Sequence, residues 1–312
     1  MYQWGDSRRF NSYSRFCKAH YGGRVQRLPI DAGFSCPNRT KRSEGGCSYC
    51  SNTAFTPSYL RENGNIITQL NRGKEFFKRR YPSNNGYFAY FQAFSNTFCS
   101  VNHLMTLCKK VMEVPEIQGI IISTRPDCLP DKILDLLSDL NKITNLCIEI
   151  GVESFHNDTL EHINRGHNVE CSFKAFEMLR KRNILACAHL IFGLPYETPH
   201  IWMEDIKLLN KLNPDFVKFH QLQILKGTKI ESEYEANHDS FHTFTIEEYV
   251  KFICDYIERL SPNIVIERFT AEVPQRFLSI SHFGFTRHDA LVKMIETELA
   301  FRNSYQGCKA LY

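Results

Sequence analysis

The sequence lacks any apolar run long enough to cross a membrane as a helix, which takes about 20 predominantly apolar residues. It also lacks the apolar core of a secretory signal near its start, where Asp6, Arg8 and Arg9 stand instead. These two absences argue against a secreted protein and against one held in a membrane by helices. We therefore expect a cytoplasmic protein with no membrane partner.

Internal repeats, low-complexity tracts and a strong excess of one charge are absent as well. The net charge is +4 at pH 7, which permits a nucleic-acid partner but does not require one. Hydrophobic residues make up 43% and charged residues 23% of the chain, as in an ordinary globular protein. A chain of 312 residues can form one α/β barrel-like domain with extensions or two small domains. We favour the single domain.

The twelve cysteines do not have the distribution of a disulfide framework. Several lie inside apolar, strand-like runs, such as Cys147 and Cys187. Buried, reduced thiols explain such positions better than disulfide bonds. The scattered cysteines therefore carry no predicted function.

One glycine-rich loop is different, because it holds Cys36, Cys47 and Cys50 directly after the first predicted strand. Gly45 and Gly46 allow the backbone to turn tightly, so that several thiolates can point at one metal ion or cluster. A closed structural zinc site takes four protein ligands, usually as two Cys/His pairs, and no second pair lies nearby. A 4Fe-4S cluster held by three cysteines would leave one iron open to a small molecule. A zinc knuckle and three unrelated cysteines are the alternatives.

Apolar periodicity predicts strands that alternate with helices. The six predicted strands span residues 25–31, 86–93, 118–124, 145–152, 184–193 and 216–222. The predicted helices between them span 61–81, 102–113, 131–141, 157–182 with a break at 164–166, and 199–212. This alternation implies a parallel sheet with right-handed crossovers, whose chemistry belongs at the carboxyl ends of the strands. The C-terminal part is predicted to add a helix, a strand and a helix at 245–260, 264–267 and 289–301.

Strand alternation also predicts which side chains face the interior of a curled sheet. In the fourth strand the apolar residues share one face, so Glu149 and Glu153 point to the other face. Two carboxylates in a buried interior are costly unless they are paired or bind a ligand. Lys218 and His220 share one face of their strand in the same way, and His189 lies on the strand before it. A lone histidine on a strand is usually a hydrogen-bonded core residue, but several converging polar residues indicate a site.

The cysteine loop resembles that of the radical S-adenosylmethionine (SAM) superfamily, in which three cysteines hold a 4Fe-4S cluster and the open iron binds SAM. Ten residues separate Cys36 from Cys47, a spacing similar to Elongator-type catalytic subunits and, more closely, to YhcC-like bacterial proteins. The resemblance implies that Cys36, Cys47 and Cys50 bind the cluster and that Tyr49 lies near the SAM adenine. The implied fold is an α/β partial (β/α)6 radical SAM barrel at residues 25–225, with extensions at 1–24 and 226–312.

Four later segments resemble SAM-binding segments of the same superfamily, in family order. They begin at Phe94, Ser123, Gly151 and His189, and the third is followed by an Asn-Arg-Gly-His sequence from residue 164. By this resemblance Glu153 lies near the ribose hydroxyls and Arg165 pairs with the SAM carboxylate. The complete set of implied SAM-binding residues is Tyr49, Ser95, Asn96, Thr97, Ser123, Glu153, Arg165, His189, Ile191 and Gly193.

The activity implied by the resemblance is reductive cleavage of SAM at the cluster to a 5'-deoxyadenosyl radical, which abstracts hydrogen from a substrate. An external electron donor of the flavodoxin or ferredoxin type is implied as a partner. Arg125, Asp127, Lys218 and His220 remain as candidates for the substrate side. For each of them, a salt bridge in the interior or at the rim of the barrel is the alternative.

The resemblance to Elongator-type enzymes implies tRNA as the substrate, with modification of a wobble uridine. Basic and aromatic residues at 1–24 and a basic cluster at 74–80 are compatible with RNA. A helix that covers one end of the barrel is the alternative for residues 1–24. A radical SAM enzyme acting on a small metabolite or tetrapyrrole is the second candidate, because the strand motifs also resemble the coproporphyrinogen dehydrogenase group. The third is a non-enzymatic zinc-binding adaptor.

Overall fold

A computed structural model describes residues 1–62, 64–280 and 286–310 of the chain. Its centre is a seven-stranded sheet in which all neighbouring strands are parallel. In spatial order, the strands are β1 (Gln26–Ile30), β4 (Tyr87–Phe91), β5 (Ile117–Thr124), β6 (Asn145–Glu153), β7 (Leu185–Phe192), β8 (Phe216–Gln221) and β9 (Val265–Arg268). Two short strands, β2 (Arg39–Lys41) and β3 (Glu44–Gly45), form a separate antiparallel hairpin. The parallel α/β architecture predicted from the sequence is confirmed.

The helices that connect the strands follow the predicted order. They are α1 (Tyr13–Tyr21), α2 (Asn52–Phe55), α3 (Ile66–Lys78), α4 (Val101–Met112), α5 (Asp131–Asn141), α6 (Asn157–His162), α7 (Val169–Arg180), α8 (Pro199–Leu212), α9 (Lys229–Ala236), α10 (Ile246–Arg259) and α11 (His288–Phe301). Their starts follow from local chemistry: Thr198 accepts a hydrogen bond from a backbone N–H of α8, and Thr245 forms a capping box with Glu248 at α10. No helix in the described part of the chain is long and apolar enough to cross a membrane.

The sheet is buried on both faces, as expected of parallel strands covered by helices. On β6, Leu146, Ile148 and Ile150 pack into the main core. Cys147, between them, packs instead with Tyr90 and other residues of a small inner cluster. The predicted alternation along this strand is therefore confirmed, and the polar residues on the inner face converge inside the sheet.

The sheet has one strand more than the six predicted for the barrel. The sequence predicts this strand at 264–267 but assigns it to the C-terminal extension. In the structure β9 pairs with β8, with Phe216 opposite Val265. An ion pair also joins Glu267 on β9 to Arg27 on β1. Since β1 and β9 are the two edges of the sheet, this contact requires a sheet curled into a partial barrel.

Helix α1 covers the end of the barrel at which the strands begin. The rings of Tyr13 and Phe16 pack edge-on against Phe216, at centroid distances of 5.5 and 4.8 Å. Tyr21 packs against Phe88 in the same way, at 5.1 Å. These contacts support the covering-helix alternative for residues 1–24, since these aromatic rings are engaged with the barrel.

The basic cluster at 74–80 lies at the same end of the barrel. It occupies the last part of α3 and the chain that leads into β4. The guanidinium of Arg24, just before β1, lies 3.5 Å from the ring centroid of Tyr81. Both basic segments are therefore remote from the carboxyl ends of the strands.

Candidate active site

The three cysteines of the glycine-rich loop surround a cavity of about 230 Å³ at the carboxyl ends of the strands. The residues between Cys36 and Cys47 form the hairpin of β2 and β3. The hairpin returns to Cys47 through Gly45 and Gly46, whose φ angles are 81° and 101°. A β-carbon on Gly45 would lie 2.8 Å from the carbonyl oxygen of Asn38. The tight turn predicted from the two glycines is confirmed, because this backbone conformation favours glycine.

Each of the three sulfur atoms has a guanidinium group beside it. The Nη to Sγ distances are 3.8 Å for Arg125 and Cys36, 3.6 Å for Arg165 and Cys47, and 3.5 Å for Arg39 and Cys50. Burial raises the pKa of the Cys50 thiol, and Arg39 acts against that rise. Cationic donors favour the thiolate over the thiol, and hydrogen bonds to sulfur help to set the potential of an iron-sulfur cluster. The loop is thus suited to hold thiolates as metal ligands.

An asparagine in the hairpin ties the cysteine loop to the segment after α6. The Asn38 Nδ2 donates to the carbonyl oxygens of Asn164 and Arg165, at 2.5 and 2.9 Å. In return, the Asn164 Nδ2 donates to the carbonyl oxygen of Gly46 at 2.9 Å. Gly166 has a φ of 74°, and a β-carbon there would lie 2.5 Å from the Asn38 Oδ1. These contacts fix Arg165 beside the cysteine loop.

β6 ends in a carboxylate-guanidinium pair that faces the cavity. A register shift between β6 and β7 precedes Glu153, whose φ is 67°. Such strained backbone is common at functional sites. The Arg165 Nη2 lies 3.4 Å from the Glu153 Oε1 and donates to the carbonyl oxygen of Gly151 at 2.7 Å. A β-carbon on Gly151 would lie 2.3 Å from both side chains, so the pair requires glycine at this position.

In the part of the chain that the structure describes, two buried polar atoms of this pair have no hydrogen-bond partner, the Glu153 Oε2 and the Arg165 Nε. Burial raises the pKa of Glu153, while Arg165 and the hydroxyl of Tyr49 act against that rise. Buried polar atoms normally have partners, so unpaired ones beside a cavity indicate a polar ligand. A molecule with amino, carboxylate and hydroxyl groups, such as SAM, fits these atoms.

Across the cavity, two histidines lie side by side. His189 on β7 and His220 on β8 are hydrogen-bonded through their Nε2 atoms. Burial, followed by the charge of Arg268, lowers the pKa of both imidazoles well below the usual value, so both are neutral at pH 7. The Nδ1 of His189 lies 3.7 Å from the Glu153 Oε2. The histidine pair therefore connects the Glu153 side of the cavity with Arg268.

A buried network of charges closes the interior below the cavity. Lys218 and Arg27 each form ion pairs with both Glu149 and Glu267. The hydroxyl of Tyr90 donates to the Glu149 Oε2 at 2.6 Å. Burial acts to raise the pKa of Glu149 and to lower that of Lys218. The opposite charges outweigh it, so the shifts run the other way. Two cations thus face two carboxylates, and the network is neutral.

Most, but not all, of the predicted cofactor residues line the cavity. Those that do are Tyr49, Ser95, Ser123, Glu153, Arg165, His189 and Ile191. Asn96 and Thr97 instead donate hydrogen bonds to the backbone. Asn96 donates to the carbonyl oxygens of Phe91 and Ser123, and Thr97 donates to that of Cys128. Gly193 borders a neighbouring cavity of about 280 Å³.

The predicted substrate-side residues are likewise divided. Arg125 and His220 line the cavity. The Asp127 carboxylate forms an ion pair with Arg125 at 2.7 Å. Lys218 forms ion pairs with Glu149 and Glu267. Asp127 and Lys218 therefore form the salt bridges that were the alternative to a substrate-side role. Sequence reasoning missed Arg39, Asn38, Tyr90 and Arg268.

The family models now identify the class of protein. Residues 36–209 match the model of the Radical SAM superfamily, and residues 214–300 match that of the Radical_SAM C-terminal domain. The chain belongs to the radical SAM superfamily. Its cofactors are accordingly a 4Fe-4S cluster and SAM, for which the three cysteines and the polar cavity are suited.

Individual relatives place the chain among YhcC-like proteins. It is 34% identical to YtqA of Bacillus subtilis (strain 168) over 301 residues, 96% of this chain and 92% of YtqA. It is 31% identical to YhcC of Escherichia coli (strain K12) over 253 residues, 80% of each chain. The solved structure of the archaeal Methanocaldococcus infernus Elp3 superposes with a TM-score of 0.69 at 16% identity, over 91% of this chain and 64% of that chain. That structure shares the fold.

Proposed function

We propose that this radical SAM enzyme modifies a wobble uridine of tRNA. The observation that carries the enzymatic part is the cavity in which three thiols, each beside a guanidinium, adjoin the unpaired polar atoms of Glu153 and Arg165. Cys36, Cys47 and Cys50 would hold the cluster. When bound, cluster and SAM supply reductive cleavage of SAM to a 5'-deoxyadenosyl radical, with the electron coming from an external flavodoxin or ferredoxin type donor.

The side chains around the cavity would bind and orient SAM. Arg165 is placed to pair with its carboxylate, since the unpaired Nε leaves a donor available. Glu153 can accept hydrogen bonds from ribose hydroxyls, and Tyr49 contributes an aromatic wall. Apolar residues such as Ile191 limit access of water to the reacting atoms.

The tRNA part of the proposal is supported by a relative. A tRNA uridine(34) acetyltransferase of Methanocaldococcus infernus is 27% identical to this chain over 163 residues, 50% of this chain. The match covers 29% of that protein, so its acetyl transfer is not carried over. From this relative we infer only that the present enzyme also reacts at uridine 34 of tRNA.

A small metabolite is the second candidate substrate, and one observation favours it. The basic segments at 1–24 and 74–80 lie at the end of the barrel where α1 covers the strands, whereas the cavity opens at the other end. These basic segments therefore make no contact with a substrate held beside the cysteines, and a small metabolite needs no such contact. A tRNA bound to them would have to extend along the barrel to bring its uridine into the cavity.

Nucleoside analysis of total tRNA tests the proposed substrate. A strain lacking the protein is compared with the same strain carrying the wild type or the Cys50→Ala variant. We expect one wobble-uridine modification to disappear and to return with the wild type alone. An unchanged nucleoside profile would reject tRNA and favour the metabolite.

A further inference from the structure

Arg268 is the last residue of β9 and lines the cofactor cavity. Its Nη2 lies 3.5 Å from the Nε2 of His189. Its Nε is buried and has no hydrogen-bond partner among the described residues. A guanidinium has five N–H donors, and the neighbouring imidazole is neutral. Arg268 therefore brings a positive charge with unused donors to the cavity wall.

Two other arginines that line the cavity differ from Arg268 in being paired with carboxylates, while Arg39 donates to the Cys50 Sγ and to the carbonyl oxygen of Arg42. Arg125 forms an ion pair with Asp127 at 2.7 Å, and Arg165 with Glu153 at 3.4 Å. Among the residues that the structure describes, no carboxylate forms an ion pair with Arg268. Arg268 is half-buried, and a charge that is partly removed from water is stabilised by a counterion. The positive charge of Arg268 is thus available to an anion that enters the cavity.

We propose that Arg268 and the His189–His220 pair form an anion-binding subsite for a carboxylate or phosphate group of the substrate. The planar fork of a guanidinium matches both groups, because each presents two oxygens that accept parallel hydrogen bonds. The Nε2 atoms of the two imidazoles are hydrogen-bonded to each other and the His189 Nδ1 faces Glu153, so the guanidinium supplies the hydrogen bonds to the anion and the neutral imidazoles form the wall beside it. This inference rests on the proposed function in two respects, in calling the bound anion part of a substrate and in assigning the SAM carboxylate to Arg165.

The anion subsite and the cysteine loop lie at different parts of the cavity wall. Arg165 lies beside Cys47, at 3.6 Å. Glu153 and His189 stand between Arg165 and Arg268, along contacts of 3.4, 3.7 and 3.5 Å. In the proposed function Arg165 binds the carboxylate of SAM, so the anion bound at Arg268 belongs to a different molecule.

The test uses cluster-loaded protein, saturating SAM and no RNA. Inorganic phosphate and acetate are the probes, each compared with chloride at constant ionic strength, and the thermal unfolding midpoint is measured. At ten times the Kd of the probe, we expect a rise of about 2 °C over chloride. Arg268→Gln should abolish the rise and Arg268→Lys should reduce it, while Arg79→Gln, at an exposed position on the basic cluster, should retain it. A stronger response to phosphate would indicate a nucleotide, and a stronger response to acetate a carboxylate metabolite.

Equilibrium dialysis of labelled SAM supplies the second readout. Arg268→Gln should leave SAM affinity within twofold of the wild type, with unchanged iron content. A tenfold loss would assign Arg268 to the cofactor and overturn the proposal. Equal midpoints in phosphate, acetate and chloride for the wild type would also overturn it, as would an undiminished rise in Arg268→Gln. Because no RNA is present, a failure of the tRNA proposal leaves this result standing.

Discussion

Replacing Lys218 by Met removes one of the two cations that neutralise Glu149 and Glu267. The side chain of Lys218 is 2% exposed, and those of the two carboxylates are 6% and 7% exposed. After the substitution Arg27 alone faces both carboxylates, so one buried negative charge has no counterion. Breaking a buried ion pair from one side costs about 3–5 kcal/mol. For a chain of this length, the thermal unfolding midpoint should fall by roughly 5–8 °C.

The double variant Lys218→Met/Glu149→Gln is the matched control. It leaves Arg27 with Glu267 and restores neutrality, so it should regain at least about half of the lost stability. A double variant as unstable as Lys218→Met would show that packing, and not charge, determines the effect. A single variant that unfolds within about 2 °C of the wild type would refute the network as a source of stability.

The same network predicts a dependence on pH. The cations hold the pKa of Glu149 below its usual range, so its contribution to stability is complete above about pH 4.3 and is lost as the pH falls through the lowered pKa. In Lys218→Met one carboxylate loses its cation, and burial raises its pKa. As the pH falls from 8 to 5, this carboxylate takes up a proton and loses its unpaired charge. The difference between the thermal unfolding midpoints of the variant and the wild type should therefore become smaller. A constant difference over this range would contradict the assignment.

Three further substitutions test the cofactor site and the closed end of the barrel. Replacing any one of the three loop cysteines by Ala should reduce cluster iron to background with the circular dichroism of the fold retained. Gly151→Ala should weaken SAM binding by about tenfold with iron retained, because a β-carbon would displace Arg165 and Glu153; unaltered affinity would remove this pair from the site. Phe16→Ala should cost about 1–3 kcal/mol of stability and leave SAM binding unchanged. A loss of SAM binding in Phe16→Ala would contradict a purely structural role for α1.

Much of the fold is predictable because its signals are local. The strands from β4 to β8 show apolar runs of strand length, and α8 begins behind Thr198 with proline at its first position. The place of β9 in the sheet is not predictable in this way, because its pairing with β8 depends on contacts across two intervening helices. The hairpin of β2 and β3 was also missed, since two- and three-residue strands show no periodicity.

The parts of the site that follow from strand alternation and from the spacing of the cysteines were predictable from the sequence. Glu149 and Glu153 were expected on the inner face, and both are found there in ion pairs with buried cations. Asn38 and Arg39 carry no signal, because their contacts depend on how the hairpin folds back. Arg268 lies one residue beyond the strand predicted at 264–267, and only the curling of the sheet brings it to the cavity.

Electron paramagnetic resonance of the reduced protein, prepared without oxygen, shows whether three cysteines alone hold an iron-sulfur cluster. We expect the signal of one 4Fe-4S cluster, held by Cys36, Cys47 and Cys50, and a change in that signal when SAM binds to the open iron. A colourless zinc protein, or a cluster whose signal is unaffected by SAM because a fourth side chain occupies the open iron, would contradict this expectation.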